Sequence, residues 1–359
     1  MVNDQRIFKV CNTLKELDYD ILLIGRKLSD NSPLSRDYKT YRMRLLFSNG
    51  FLFYIEYSMR LFFKILFTKK DILLSNDLDT LLPNYLISII QHKKLVYDSH
   101  ELFTEIPELI HRPIVQNIWL KIEQYIFPKL KNVYTVNREI AEIYSEKYNV
   151  KVGVIRNIAY KLKNKKGDVN FADKIKGNSK MLILQGTGIN IDRGAEEAVE
   201  MMQYLENTIL YIIGSGDVFD KLESMVSELK LENKVFILDK IPYSELIEYT
   251  KIADLGLSLD KNTNLNYEYS LPNKIFDYIQ SSTPILTSNR VVVAEIVNTY
   301  NIGKIVDSHD PKIMAIVVQS IFENQEGYNI WKENLQIASE KFNWENESEK
   351  LKQIYSNLK

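Results

Sequence analysis

Short runs rich in Val, Ile, Leu and aromatic residues alternate with stretches of helical periodicity along nearly the whole chain. The runs are continuously apolar, which is the pattern of parallel strands covered on both faces. Strands are expected at 20–25, 41–47, 71–76, 94–99, 132–137 and 152–157, with helices between most of them. A lysine-rich polar stretch, "KLKNKKGDVNFADKIKGNSK", then breaks the rhythm at 161–180 and marks a linker. The pattern restarts with strands at 181–186, 208–214, 234–239, 254–259, 284–289 and 303–307, and closes in helical segments from about 311 to 359. Such alternation predicts an α/β protein of two doubly wound, Rossmann-like halves of similar size.

The first recognisable element, "NDQRIFKVCNTLKEL", is already a helix, with Asn3 or Asp4 as its cap and Ile7, Val10, Cys11 and Leu14 on one face. A doubly wound half normally opens with a central strand. The first N-terminal strand is thus expected to be missing, either because the start is assigned too late or because another segment fills a gap. The most hydrophobic segment, Phe51 to Lys70, is interrupted by Glu56, Arg60 and Lys64 at four-residue spacing, so it is not a membrane span. A helix packed on a sheet is the favoured reading. The other is an aromatic face resting, with Arg42, Arg44, Lys69 and Lys70, on an anionic membrane surface.

Composition removes several classes of function. Across 359 residues, 46 basic side chains face 47 acidic ones, which gives no global electrostatic case for nucleic-acid binding. The single cysteine, Cys11, excludes an intramolecular disulfide and a cysteine metal cage, as suits a reducing cytoplasm. The opening "MVNDQRIFKV" has no signal-peptide core or lipidation pattern, so export is not expected.

Ligands of open parallel sheets bind beyond the carboxyl ends of the strands, and four such ends in the second half are equipped. After "MLILQG" come Gly186 and Gly188 in a tight turn, then Arg193 before a helix starting near Gly194, an arrangement suited to phosphate. Pairing of Arg193 with a neighbouring carboxylate is an equal alternative. Gly214, Ser215 and Gly216 form a second turn, although glycine also serves such turns for geometry alone. Pro242 precedes a further helix. In "YSLPNKIFDYIQ", Ser270 is placed to cap a helix with Pro272 in its first turn, and Ile275, Phe276 and Ile279 on its buried face. Asn273, Lys274 and Asp277 would share the other face, offering an ammonium to a phosphate and a carboxylate to ribose hydroxyls.

These turns, together with "ADLGLSL" and "YSLPNKIFDYIQSSTPIL", resemble family-4 glycosyltransferases of the GT-B fold, particularly bacterial ones of surface-polysaccharide assembly. The resemblance spans nearly the entire chain. It implies two Rossmann-like domains facing a cleft: an acceptor domain over 1–160, to which a C-terminal helix at 343–359 crosses back, and a nucleotide-sugar domain over 161–342. It also implies transfer from a nucleotide-diphosphate sugar to a glycan or lipid-linked acceptor with retention of configuration, without a metal or other cofactor. The enzyme would be cytoplasmic, with peripheral contact at the inner membrane surface and no nucleic acid.

Carried over by motif, Arg193 and Lys274 neutralise the diphosphate, Gly186, Gly188 and Gly214 to Gly216 border the nucleotide, and Asp277 holds the ribose. The segment Tyr269, Ser270, Leu271, Pro272 and Asn273 lines the donor. The family's pair of glutamates maps onto Tyr269 and Asp277; Glu268 is a neighbour expected to point elsewhere. His100, after the strand in "VYDSHELF", matches a family histidine near the donor sugar. Asn76, Asp77 and Asp79 either cap a helix or face the acceptor, with capping preferred for at least one. Two other readings stay open: a GT-B nucleotide-sugar epimerase, and a degenerate nucleotide-sugar-binding subunit that partners an active transferase.

Overall fold

The computed structural model describes residues 4–27 and 35–358. Asn3, one of the two expected caps, lies outside them; Asp4 is the N-cap of the helix Gln5–Glu16 and accepts the Ile7 N–H at 3.0 Å. The chain divides into two compact units, Met1–Asn157 with Asn346–Lys359, and Ile158–Glu345.

In the first unit the strands are β1 (Leu22–Arg26), β2 (Lys39–Met43), β3 (Ile72–Asn76), β4 (Lys94–Ser99), β5 (Asn132–Thr135) and β6 (Val152–Val154). They form two parallel sheets, β1-β2 and β3-β4-β5-β6. Among the described residues no strand joins β1 to β3. The last residues pack into this unit: Leu351 and Tyr355 are buried, Tyr19 donates its hydroxyl to the Tyr355 carbonyl at 3.0 Å, and Glu347 accepts the Arg156 N–H at 2.9 Å.

The second unit holds β7 (Lys180–Gly186), β8 (Thr208–Gly214), β9 (Val235–Asp239), β10 (Leu255–Ser258), β11 (Ile285–Ser288) and β12 (Gly303–Val306). These make one parallel sheet in the order β12-β11-β10-β7-β8-β9, so the chain winds outward from β7 in both directions. β8 is buried along its whole length, which accounts for its unbroken apolar run. The stretch read as a linker is not where the units divide. Ile158 and Ala159 already belong to the second unit's core, and the lysine-rich stretch contains the helix Val169–Ile175.

The charge-striped segment is the helix Gly50–Leu66, buried along Phe53, Tyr57, Leu61 and Ile65. The expectation of a covered helix holds for that face only. Phe51, Leu52, Ile55, Met59 and Phe63 are exposed, as are Phe67 just beyond the helix and Leu46 before it. Among the described residues no helix is long and apolar enough to cross a membrane.

Candidate active site

Two side-chain clusters, one in each unit, carry the chemistry. In the second unit the helix of the "YSLPNKIFDYIQ" motif is Lys274–Gln280, with all seven residues buried. Three readings change as a result. The helix starts at Lys274, after Ser270 and Pro272, and Ser270 turns its hydroxyl back to the Tyr267 carbonyl at 3.1 Å. Asn273 takes the N-cap position without a side-chain capping bond. The polar face is as buried as the apolar one, because the helix is enclosed by its neighbours all round. Asp277 accepts hydrogen bonds from Tyr243 at 2.7 Å and from Gln185 at 3.0 Å, and Gln185 accepts in turn from Thr250 at 2.7 Å.

The cations of this unit gather around Asp260, just beyond β10. Arg193 donates to Asp260 at 3.2 Å and lays its guanidinium over the Tyr267 ring, 4.0 Å from the centroid, while its Nε has no partner. The carboxylate alternative for Arg193 is therefore realised, but only part of the guanidinium is used. Burial presses the Arg193 pKa down, and Asp260 outweighs it and raises the value. Lys274 is buried, and its pKa is lowered by that burial against the pull of Asp260. Arg290, at the N-cap position beyond β11, is 2% exposed, and none of its three guanidinium nitrogens makes a hydrogen bond. Its nearest carboxylate oxygen, on Glu268, is 3.8 Å away, and burial lowers its pKa. The Asp260 Oδ1 and Glu268 Oε2 atoms also lack partners. A set of buried charges this poorly paired is costly unless an anion completes it.

Arg290, Asp260 and Tyr267 are absent from the sequence-derived set. Glu268, expected to point elsewhere, faces this cluster. It lies on a separate short helix, Leu265–Glu268, so its direction does not follow the periodicity of Lys274–Gln280. The strand-end position of Arg290, after "PILTSN", was the available signal.

The glycine turns have a packing cause. A Cβ on Gly214, at φ +149°, would fall 1.6 Å from the Gly186 carbonyl oxygen, and one on Gly216 would fall 1.8 Å from that of Ile189. The turn after β8 therefore lies against the turn after β7, fixed by Ser215 N–H to Gly186 O at 3.0 Å and Ile189 N–H to Ser215 O at 3.0 Å. Gly188 has open space where a Cβ would stand, and Gly186 has no contact closer than 3.7 Å, so the tightness expected of those two belongs to 214 and 216. Tyr269, Leu271 and Pro272 are half-buried between the two short helices.

In the first unit, His100 follows β4 and is 20% exposed. Its Nδ1 lies 3.1 Å from Asp77 and its backbone N–H donates to the same carboxylate at 2.8 Å. Its Nε2 lies 3.4 Å from Asp98, at ion-pair distance without an aligned hydrogen bond. Asp98 is in turn gripped by Arg6, whose Nε and Nη2 donate at 2.9 and 2.6 Å. Burial presses the His100 pKa down, but Asp77 and Asp98 outweigh it and raise it to about 9. His100 is thus an imidazolium at neutral pH, a donor rather than a base. Burial raises Asp77 to about 6 against the opposing pull of His100, and raises Asp79 to about 7. Asp77 occupies an N-cap position but forms no capping bond. It adopts a left-handed backbone, φ 59°, with its carboxylate committed to His100, so the preference for capping is not met there. Asn76 ends β3, and its carbonyl accepts the Thr80 hydroxyl at 2.7 Å.

With this geometry in view, comparison with known proteins is specific. A family described as "Glycosyl transferases group 1" matches residues 170–337, the stretch that carries the whole Asp260 cluster. The protein is a glycosyltransferase. Its fold is GT-B, with a Rossmann-like domain in each unit. Among solved structures, the glycosyltransferase is similar to sucrose-phosphate synthase from Thermosynechococcus elongatus, at a TM-score of 0.77 and 18% identity over 99% of this chain and 94% of that one. It is similar also to a glycosyltransferase from Rickettsia africae, at a TM-score of 0.74 and 17% identity over 99% and 94% of the two chains. HepE of Anabaena, solved with UDP and glucose, is similar at 0.70 and 15% identity over 89% and 86%. No curated protein sequence matches the chain.

Proposed function

We propose that the enzyme is a retaining, family-4 type transferase. It moves a sugar from a nucleoside-diphosphate donor to a glycan or lipid-linked acceptor, in polysaccharide or glycolipid assembly at the cytoplasmic face of a membrane. The observation that carries this reading is the underpaired cluster of Arg193, Lys274 and Arg290 at the ends of β7, β10 and β11, where buried cations outnumber the carboxylates of Asp260 and Glu268. A diphosphate is the anion that such a set completes. As the glycosidic bond to phosphate breaks, negative charge grows on the leaving group, and preformed guanidinium and ammonium groups stabilise it without rearrangement and without a metal. The two helices at this site, Ala195–Met201 and Lys274–Gln280, are two turns each, so the side chains carry the electrostatics. Asp277, whose carboxylate is oriented by Tyr243 and Gln185, is the group this reading assigns to the ribose hydroxyls. His100 serves as a charged donor to a sugar hydroxyl. Ligands in the HepE structure, UDP and glucose, support a donor of this class.

The exposed apolar face of Gly50–Leu66, bordered by Arg42, Arg44, Arg60 and Lys64, supports peripheral contact with an anionic lipid surface. The donor reading is tested by calorimetric titration of UDP into the wild type and into Lys274→Ala and Arg290→Ala. Each substitution is expected to weaken binding about tenfold, roughly 1.4 kcal/mol. Transfer is followed separately with labelled nucleotide sugars and a lipid-linked acceptor extract. Binding without transfer would favour the subunit reading, and wild type that binds no nucleoside diphosphate would remove the proposal.

A further inference from the structure

The imidazole of His100 is held unevenly. Asp77 takes its Nδ1 side at 3.1 Å and accepts a second bond, of 2.8 Å, from the His100 backbone N–H. On the other side Nε2 is buried and makes no hydrogen bond, although the Asp98 carboxylate stands only 3.4 Å away. A charged imidazole carries an N–H on each nitrogen, and a donor left open this close to a carboxylate calls for a cause. Asp98 and His100 are two residues apart at the end of β4, a spacing that places side chains on one face of a strand.

The cause is Arg6. From the first turn of the Gln5–Glu16 helix its guanidinium meets Asp98 three times, Nε at 3.1 and 2.9 Å from the two oxygens and Nη2 at 2.6 Å. Charge-assisted contacts of that length are strong, whereas an unaligned pair at 3.4 Å is not. The guanidinium is itself fixed from behind, because Nη1 donates to the Ile155 carbonyl, just beyond β6, at 2.7 Å. It therefore does not follow the carboxylate toward the imidazole. Arg6 and Asp98 are both buried, so water does not compete for either group. Ser99, between Asp98 and His100, is tied elsewhere: its hydroxyl donates to the Glu101 carbonyl at 2.9 Å, and its own carbonyl accepts the Thr135 hydroxyl at 2.9 Å. The backbone is thus held against bringing the two side chains together.

We propose that Arg6 is a positioning residue for His100: by withholding Asp98 from Nε2 it leaves the ring free to turn about its Asp77 contact and present that N–H to a sugar hydroxyl. The proposal rests on the reading of His100 as a charged donor. Asp77 keeps the ring protonated, with Asp79 and Glu101 adding negative charge on that side. Asp98 adds its field without taking the proton, and Arg6, which stays charged at every accessible pH, sets the distance at which it does so. Were Nε2 bonded to Asp98, the ring would be locked with both N–H groups turned inward.

Ring-proton NMR on the full chain tests this, with the His100 signals identified by their loss in His100→Gln. In the wild type the Nδ1 proton should lie downfield and exchange slowly with water, and the Nε2 proton should do neither. Two equally downfield, equally protected protons would overturn the proposal whatever the variants do. Arg6→Gln releases Asp98 to close on Nε2. Its Nε2 proton should move downfield, the ring should titrate at higher pH than in the wild type, and turnover of labelled nucleotide sugar should fall on the order of tenfold or more, with UDP affinity unchanged. Arg6→Gln combined with Asp98→Asn replaces the ion pair by two amides, so the ring should titrate at lower pH than in the wild type, and this variant serves where the single one does not fold. A purely structural Arg6 predicts wild-type titration in whichever variant folds, and that result would refute the positioning. Wild type that transfers no sugar would instead remove the donor role of His100, while the ring protons would still report where Asp98 is held.

Discussion

At His100 two carboxylates press on one imidazole, and the consequence can be read as pH dependence. Its pKa is raised to about 9 from an ordinary value near 6.5. A raised pKa means that the folded state favours the protonated form, so this stabilisation is complete below about pH 6.5 and is lost as pH rises through 9. Thermal melts at intervals over that range should show a fall in Tm, and His100→Gln should flatten it. An unchanged slope in the variant would refute the pairing. Turnover should fall over the same window if the imidazolium donates to a sugar hydroxyl. Glycines make a sharper case. Gly214→Ala would drive a methyl into the Gly186 carbonyl and should cost about 2–4 kcal/mol by denaturant unfolding, whereas Gly188→Ala should be close to neutral. Residue identity alone does not distinguish these glycines, since all of them lie in strand-to-helix turns. The same limit hid Arg290 and the direction of Glu268. Their roles come from side chains brought together by the ends of β10 and β11 and by a four-residue helix, none of which leaves a local pattern.

Elements were more legible. All twelve described strands lie within a few residues of the runs, most sharply β8, β10 and β11, which are buried along their whole length, whereas β2, Lys39–Met43, is largely exposed and begins before its apolar residues. The Lys274–Gln280 helix was misread for a related reason. Periodicity marks the more apolar face, but it cannot reveal that a polar face is buried too, which requires partners such as Tyr243 and Gln185. The Gly50–Leu66 helix has the opposite lesson, with apolar residues on the solvent face that packing does not use. Lys64 sits 4.1 Å over the Tyr41 ring, and Arg60 pairs with Glu56 at 2.7 Å, so the cations border the apolar strip. Sedimentation with vesicles should show binding to anionic lipid and little to phosphatidylcholine. Phe63→Ser with Phe67→Ser should reduce it at least tenfold, and Arg44→Glu should increase its salt sensitivity, with UDP affinity unchanged in each. Equal binding of the variants would reject the surface.

The two units differ in how their chain segments are drawn together. Unit Ile158–Glu345 is a single continuous stretch, while the first unit needs Asn346–Lys359 to complete it. Deleting 346–359 removes Leu351 and Tyr355 from its core and the Glu347 carboxylate from the Arg156 N–H. Limited proteolysis of that deletion should degrade the first unit rapidly and leave a resistant fragment spanning the second, still able to bind UDP. Loss of both units together would show that they do not fold separately.

That closing segment also imposes an order on synthesis. A ribosome making this chain releases the first unit's strands early, yet the residues that seal their core are translated only after the whole of the second unit. The second unit can be finished while the first is still waiting. During that interval the core positions of Leu351 and Tyr355 stand empty, so slow translation between the units prolongs the period in which the nascent chain most needs a chaperone.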